Sequence, residues 1–331
     1  MSGLILWPNR LWNFMLILLS YFLSKKGWIK HPWGLPVAMS VEPTTACNLG
    51  CPECPSGLKS FHRPTGNMKV ADFEKWMPQW KNHLMYLNFY FQGEPFIHPQ
   101  LTQMMAIARK QGVVCSVSTN GHFLSNEVID QVIDARLNKM IISLDGFTQG
   151  VYEQYRVHGE LEKVKDAVVR LVNRKKERGV KYPEVVIQTL AVQPNEDEIP
   201  LVKAWAKEVG ADRVVVKTAQ LYAPSDSHPL MPKNESYRRY FKDELGNWRI
   251  KNPLDNHCWR MWSGCVVTWN GDVVPCCFDK DAQHKMGNLS KAPLREIWRM
   301  EAYKAFRSQL QKGRKEIDIC ANCSEGTKVW A

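Results

Sequence analysis

Between Val37 and Val216, short β-rich runs alternate with helical patterns, and this alternation admits few architectures. The runs are Val37–Val41, Leu84–Phe91, Val113–Val117, Leu137–Leu144, Val185–Val192 and Val214–Val216. Helical patterns separate most of them, as at Leu101–Lys110, Asn126–Ala135, Leu161–Arg178 and Glu196–Val209. Strands joined by helical crossovers lie parallel, and each crossover is right-handed. The expected class is therefore α/β, with chemistry at the C-terminal strand ends.

The segments that leave those ends carry polar residues. The first run leads into EPTTACNLGCPEC, the second ends in YFQGEP, the third in STNG and the fourth in SLDG; the fifth is followed by VQPNEDEI. Several polar, glycine-bearing loops at one rim predict a small-molecule site at the mouth of a partial barrel.

The 331 residues hold ten cysteines, in two short groups apart from Cys115. Cys276 and Cys277 are adjacent, and no cleavable secretory signal is evident. Clustered thiols in a reducing, cytoplasmic compartment point to metal rather than disulfides. The net charge of +11 suits anionic partners, but no zinc-finger or RNA-binding signature supports nucleic acid.

Residues 4–23 read LILWPNRLWNFMLILLSYFL, followed by Lys25 and Lys26. Pro8, Asn9 and Arg10 interrupt the run, and the stretch from Leu11 is short for a span. The first expectation is a helix in the membrane surface, peripheral on the inner face, with tryptophans and lysines at the headgroups. Packing on the protein's own core, or a dimer contact, is the alternative.

Cys47-x3-Cys51-x2-Cys54 supplies three soft ligands within eight residues. A closed structural zinc site needs a fourth ligand, and His62 is the nearest histidine. Three thiolates holding a [4Fe–4S] cluster would instead leave one iron open. This spacing after a first strand, with QGEP, STNG and SLDG behind it, resembles the signature of the radical S-adenosylmethionine (SAM) enzymes. The resemblance implies a partial (β/α)6 TIM-like barrel. It also implies that SAM chelates the open iron through its amino nitrogen and carboxylate. One electron would cleave SAM to methionine and a 5′-deoxyadenosyl radical, which would abstract a substrate hydrogen.

By the same resemblance, Gln92, Gly93, Glu94 and Pro95 match the family's GGEP motif beside the methionine amino group, with Gln92 in place of the first glycine. Ser143 and Asp145 fall where ribose contacts are expected, and Asn120 faces the same pocket. Gln188 and Val192–Asn195 would come from the fifth strand. Arg156, which follows Tyr152 and Tyr155, would reach a carboxylate or form a structural salt bridge. Glu53 stands where the family usually has an aromatic residue; its side chain is expected to point to solvent.

The second cysteine group comprises Cys258, Cys265, Cys276, Cys277, Cys320 and Cys323. VVTWNGDVVPCC reads as a hairpin with Asn270-Gly271 at its turn, and a helix is expected over about 293–309. With Gly287-Asn288-Leu289 and Cys320-x2-Cys323, the group resembles the SPASM/twitch extension of radical SAM enzymes. That implies one auxiliary [4Fe–4S] cluster on Cys258, Cys276, Cys320 and Cys323, with Cys265 and Cys277 as substitutes. A four-cysteine zinc site is the alternative.

The expected organisation is an N-terminal helix in 1–34, a barrel in 35–235 and a small α+β auxiliary-cluster domain in 236–331. The resemblance implies a reducing donor such as flavodoxin or ferredoxin. The favoured reaction is net oxidation of a small molecule, dehydrogenase-like. Ribosomal-peptide and lipid-linked substrates are alternatives, as is a zinc-bearing membrane adaptor without enzyme activity. Some 35 residues ahead of the barrel are too few for the peptide-recognition domain often fused there. Glu94, Asp145 and Asp272 are the nominal general bases.

Overall fold

The computed structural model describes residues 8–252, 254–327 and 329. Helix α1 (Pro8–Lys25) precedes strand β1 (Ala38–Val41), and the short helix α2 (Pro55–Leu58) closes the first cysteine loop. Then come α3 (Val70–Trp80), β2 (Tyr86–Asn88), α4 (Leu101–Lys110), β3 (Val114–Thr119), α5 (Asn126–Asp134) and β4 (Lys139–Ser143). After α6 (Gln149–Tyr155) and α7 (Leu161–Glu177) follow β5 (Glu184–Ala191), α8 (Ile199–Val209) and β6 (Arg213–Thr218). Strand β5 carries the run Val185–Ile187 buried on both faces, whereas β2 reads Tyr86-Leu87-Asn88 and the edge strand β6 has no buried residue. Ser125 caps α5 by accepting a bond from the Val128 amide, and α8 ends on Gly210 in a left-handed conformation.

Strands β1 to β6 pair in chain order and are all parallel, forming the partial barrel. The second strand is shorter than its apolar run, because Phe89 to Pro95 turn away as the QGEP loop. The hairpin β7 (Tyr240–Lys242) and β8 (Trp248–Ile250) forms a separate two-stranded sheet.

The C-terminal part contains α9 (Trp259–Ser263), β9 (Gly264–Val267), β10 (Asp272–Val274), β11 (Gly287–Asn288), α10 (Leu294–Ile297), α11 (Glu301–Gly313) and α12 (Asp318–Ala321). The predicted hairpin is present, with Gly271 at φ +83° in its turn. It does not stand apart from the barrel: β9 pairs with β1 in parallel, from Ala38↔Gly264 to Val41↔Val267. One sheet thus runs β11-β10-β9-β1-β2-β3-β4-β5-β6. The single helix expected near 293–309 is two. Met300 is extended between them, and α11 folds back so that Arg307 lies 4.2 Å over the Trp298 ring and donates to the Trp298 carbonyl.

Helix α1 packs by one face, realising the packing alternative there. Arg10, 1% exposed, donates to the carbonyls of Lys81 (2.7 Å), Gln111 (2.6 Å) and Gly112 (2.7 Å). Those carbonyls end α3 and α4, where helices leave acceptors unpaired and favour a cation. Asn13 exchanges two bonds with the Leu35 backbone, and the Trp262 indole donates to Ser20 (3.0 Å). Among the described residues, no helix is long and apolar enough to cross a membrane.

Arg10→Met should lower stability by about 2–4 kcal/mol, since three buried carbonyls lose a charged donor. The midpoint of urea unfolding, monitored by circular dichroism, measures it.

Candidate cluster and cofactor site

The first cysteine loop leaves β1 and is held against its neighbours by backbone contacts. Gly93, at φ +75°, sits where a Cβ would overlap the Thr44 carbonyl and lie 2.8 Å from that of Ala46. Only glycine permits that approach, which lets the Glu94 amide donate to the Ala46 carbonyl at 2.7 Å. The Ser56 hydroxyl accepts from the Gly93 amide (2.8 Å) and reaches Gln92 Oε1 (3.5 Å).

Glu94 is 2% exposed, and both its oxygens are occupied. Oε1 accepts from Thr119 Oγ1 (2.7 Å) and the Phe96 amide (3.1 Å), and Oε2 accepts from the Asn120 amide (2.7 Å). Its carboxylate therefore ties QGEP to STNG. The Asn120 amide group in turn donates to Asn48 Oδ1 (2.7 Å), inside the cysteine loop.

The fourth and fifth strand ends are locked similarly. Asp145 is fully buried; Oδ2 receives Arg156 Nε at 2.6 Å and Oδ1 the Leu190 amide at 2.5 Å. Arg156 thus forms the structural salt bridge, while its second nitrogen lies 3.8 Å from Cys51 Sγ. Asn195 donates to the carbonyls of Asp145 and Leu190. Ser143 pairs in register with Gln188 across β4 and β5 at the same rim. None of the nominal general bases is free. Glu94 and Asp145 hold the scaffold, and Asp272 is held by Lys285 (2.9 Å) and Asn288 (2.8 Å).

Glu53 departs from its expected solvent position. Its side chain, 12% exposed, accepts from the Tyr222 amide (3.0 Å) and meets His228 (3.2 Å), clamping the cysteine loop to the segment after β6. His228 and Tyr222 were not legible as partners, being 175 and 169 residues away.

All ten cysteines are free thiols. Cys47, Cys51 and Cys54 gather beside Leu49, Tyr155 and Val192. Burial pushes the Cys47 thiol up to about 11, and burial also raises Cys51, which the nearby Arg156 partly offsets. In the second group, Cys258, Cys276, Cys320 and Cys323 line one cavity with Arg314, Phe278 and Glu325. Burial lifts Cys320 to about 12 and Cys323 to about 11. Cys265 is away from this cavity, in the main core near Tyr303 and Arg307. Cys277 packs with Phe91 and Val266 and lies 3.9 Å from Arg260. Cys115 is wholly buried in β3, a core residue as expected.

Both sets fit an iron–sulfur cluster by donor chemistry. Buried thiols need a strong cationic partner to become soft thiolate ligands, and the irons of a cluster would supply it. Arg314 adds positive charge beside the second set: it is fully buried and donates to Cys323 Sγ (3.6 Å) and to the Glu325 carbonyl (2.6 Å). Glu325, which also lines the cavity, is paired with Arg260 at 2.7 Å. His62, the fourth ligand of the zinc alternative, is instead 86% exposed and paired with Asp281. Among the described residues, no group of three or more histidine, cysteine or acidic side chains is placed to hold a single metal ion.

Fold and thiols define an α/β protein of partial-barrel type with two candidate cluster sites. The family model of the Radical SAM superfamily matches residues 41–203, and that of an iron–sulfur cluster-binding domain, SPASM, matches 258–324. The chain belongs to the radical SAM superfamily and carries a SPASM domain after its barrel. Its cofactors are a SAM-binding [4Fe–4S] cluster, an auxiliary iron–sulfur cluster and SAM itself. Its chemistry is cleavage of SAM to a 5′-deoxyadenosyl radical.

A tungsten-containing aldehyde ferredoxin oxidoreductase cofactor-modifying protein of Pyrococcus furiosus is 23% identical over 307 residues, covering 81% of this chain and 82% of that one. An S-adenosyl-L-methionine-dependent 2-deoxy-scyllo-inosamine dehydrogenase of Niallia circulans is 22% identical, covering 86% and 92%. Among solved structures, Streptococcus suis SuiB bound to precursor peptide SuiA superposes with a TM-score of 0.62 at 17% identity, covering 92% and 72%. That likeness concerns the fold.

Arg314→Met, in protein carrying both clusters, should lower the auxiliary cluster's reduction potential. A cation several ångströms away at an effective dielectric near 20 is worth about 2–3 kcal/mol, on the order of 100 mV for one electron. Redox titration followed by electron paramagnetic resonance reads the shift.

Proposed function

We propose that the enzyme is an oxidoreductase that removes hydrogen from a small molecule in a dehydrogenase-like reaction. The observation that carries this reading is the second thiol set. Cys258, Cys276, Cys320 and Cys323 together line one cavity beside the buried Arg314. Four protein thiolates would ligate an auxiliary cluster fully and leave no iron open for substrate, which suits it to accepting an electron. The kinship with a SAM-dependent dehydrogenase supports the same direction.

In this reading Cys47, Cys51 and Cys54 hold the first cluster and leave one iron for SAM. Gly93 lets the QGEP backbone approach the methionine end, and Gln92 borders it. Glu94 acts as a positioning residue: it fixes the Asn120 backbone and Thr119 instead of meeting the cofactor through its carboxylate. Ser143 and Gln188 border the nucleoside at the β4–β5 rim. Asp145 orients Arg156, whose guanidinium sets a positive charge against Cys51. The barrel is assigned to 35–235, the auxiliary region to 236–331 and the leading helix to 1–34. A low-potential flavodoxin or ferredoxin supplies the electron in the cytoplasm.

Anaerobically purified protein, reduced in the presence of SAM, should release 5′-deoxyadenosine. Replacing Cys47, Cys51 and Cys54 by alanine should abolish that release and lower iron from roughly eight to roughly four atoms per chain. Replacing Cys258, Cys276, Cys320 and Cys323 should remove the other four while Mössbauer spectra retain the first cluster. Protein that holds zinc alone overturns the ligand assignment. Reductive turnover that yields only a redox-neutral product overturns the dehydrogenase reading while sparing the cluster assignment.

A further inference from the structure

Helix α1 has two faces of different character. At 100° per residue, Arg10, Ile17, Ser20, Tyr21 and Ser24 occupy one arc of about 100°, and all five are buried against the protein. Leu11, Trp12, Met15, Leu19 and Phe22 occupy the opposite arc, also about 100° wide. These five are 48%, 68%, 50%, 51% and 50% exposed. The outward face of a surface helix is ordinarily polar; this one offers five large apolar side chains.

The surroundings identify what such a face fits. Trp28 and Trp33, which follow α1 in the chain, are 70% and 45% exposed and have amphipathic rings. Lys25, Lys26 and Lys30 stand exposed at this end, with Lys26 Nζ 5.1 Å from the Trp28 ring centroid. The first acidic residue of the chain is Glu42. An apolar stripe followed by interfacial tryptophans and lysines, without a carboxylate in its segment, complements an anionic bilayer. A second copy of α1 would bring more lysines and no acid to meet them.

We propose that the outward face of α1, with Trp28, Trp33 and the three lysines, docks the enzyme flat on an anionic lipid surface. The inward face keeps the helix on the protein through Arg10, so docking needs neither a span nor a change of fold. The proposal is independent of the cluster-ligand assignment and of the reaction.

The test uses the full chain with its clusters and vesicles of phosphatidylcholine, with or without about 30 mol% phosphatidylglycerol. Co-sedimentation should show binding to the anionic vesicles, weakened by salt. The combined variant W12S/M15Q/L19Q/F22S should lose about 10-fold or more in binding while still releasing 5′-deoxyadenosine. K25Q/K26Q/K30Q should lose binding to a similar or greater degree, because each lysine contributes near an anionic surface. Equal binding by wild type and stripe variant overturns the proposal. So does a wild-type dimer, seen by light scattering, that the stripe variant converts to monomer without any vesicle binding. Should the combined variant misfold, quenching of Trp12 fluorescence by brominated lipid, in protein with Trp12→Phe as the reference, decides the question. No Trp12-dependent quenching refutes contact.

Discussion

The buried carboxylate of Glu94 sets the geometry of the first site. Its two oxygens collect donors from Thr119, Asn120 and Phe96, so the loops after β2 and β3 become one unit. Asn120 then holds Asn48, and the backbone at Gly93 and Glu94 lies against Thr44 and Ala46. Leaving such a group unsatisfied away from water would be costly, so its bonding must be complete. The residue belongs to a motif associated with cofactor contact, yet here its charge is spent on internal alignment.

The same logic recurs at the seam between barrel and C-terminal region. Glu42 and Arg63 form a buried bidentate pair at 2.6 and 2.8 Å. Glu42 also accepts from the Trp269 amide, and Arg63 donates to the Lys280 carbonyl. Asn322, between the last two cysteines, donates to the Leu221 carbonyl and accepts from Tyr240. The β9–β10 hairpin region and the last cysteine pair are therefore tied to loops of the barrel by polar groups.

Much of this was readable from residue order. The alternation of β-rich runs with amphipathic helices reports parallel strands joined by crossovers, so β1 to β6 were visible, and Leu101–Lys110 was placed to the residue. The cysteine spacing and the Asn270-Gly271 turn were visible because their chemistry is local. In the sequence Arg10 is only an interruption in an apolar run, because its carbonyl partners lie 71 to 102 residues away. The partners of Glu53 are hidden from the sequence for the same reason, 169 and 175 residues away. Strand direction separates the remaining thiols in space: alternation along β9 sends Cys265 into the main core, whereas Cys276 lines the shared cavity.

The parallel pairing of β9 with β1 has a mechanical consequence. Regions that carry separate redox centres are often joined by a linker about which they swing. Here the backbone ladder and the polar ties remove the hinge, and the distance between the two thiol sets is built into the sheet. Any change in their separation then requires breaking that ladder.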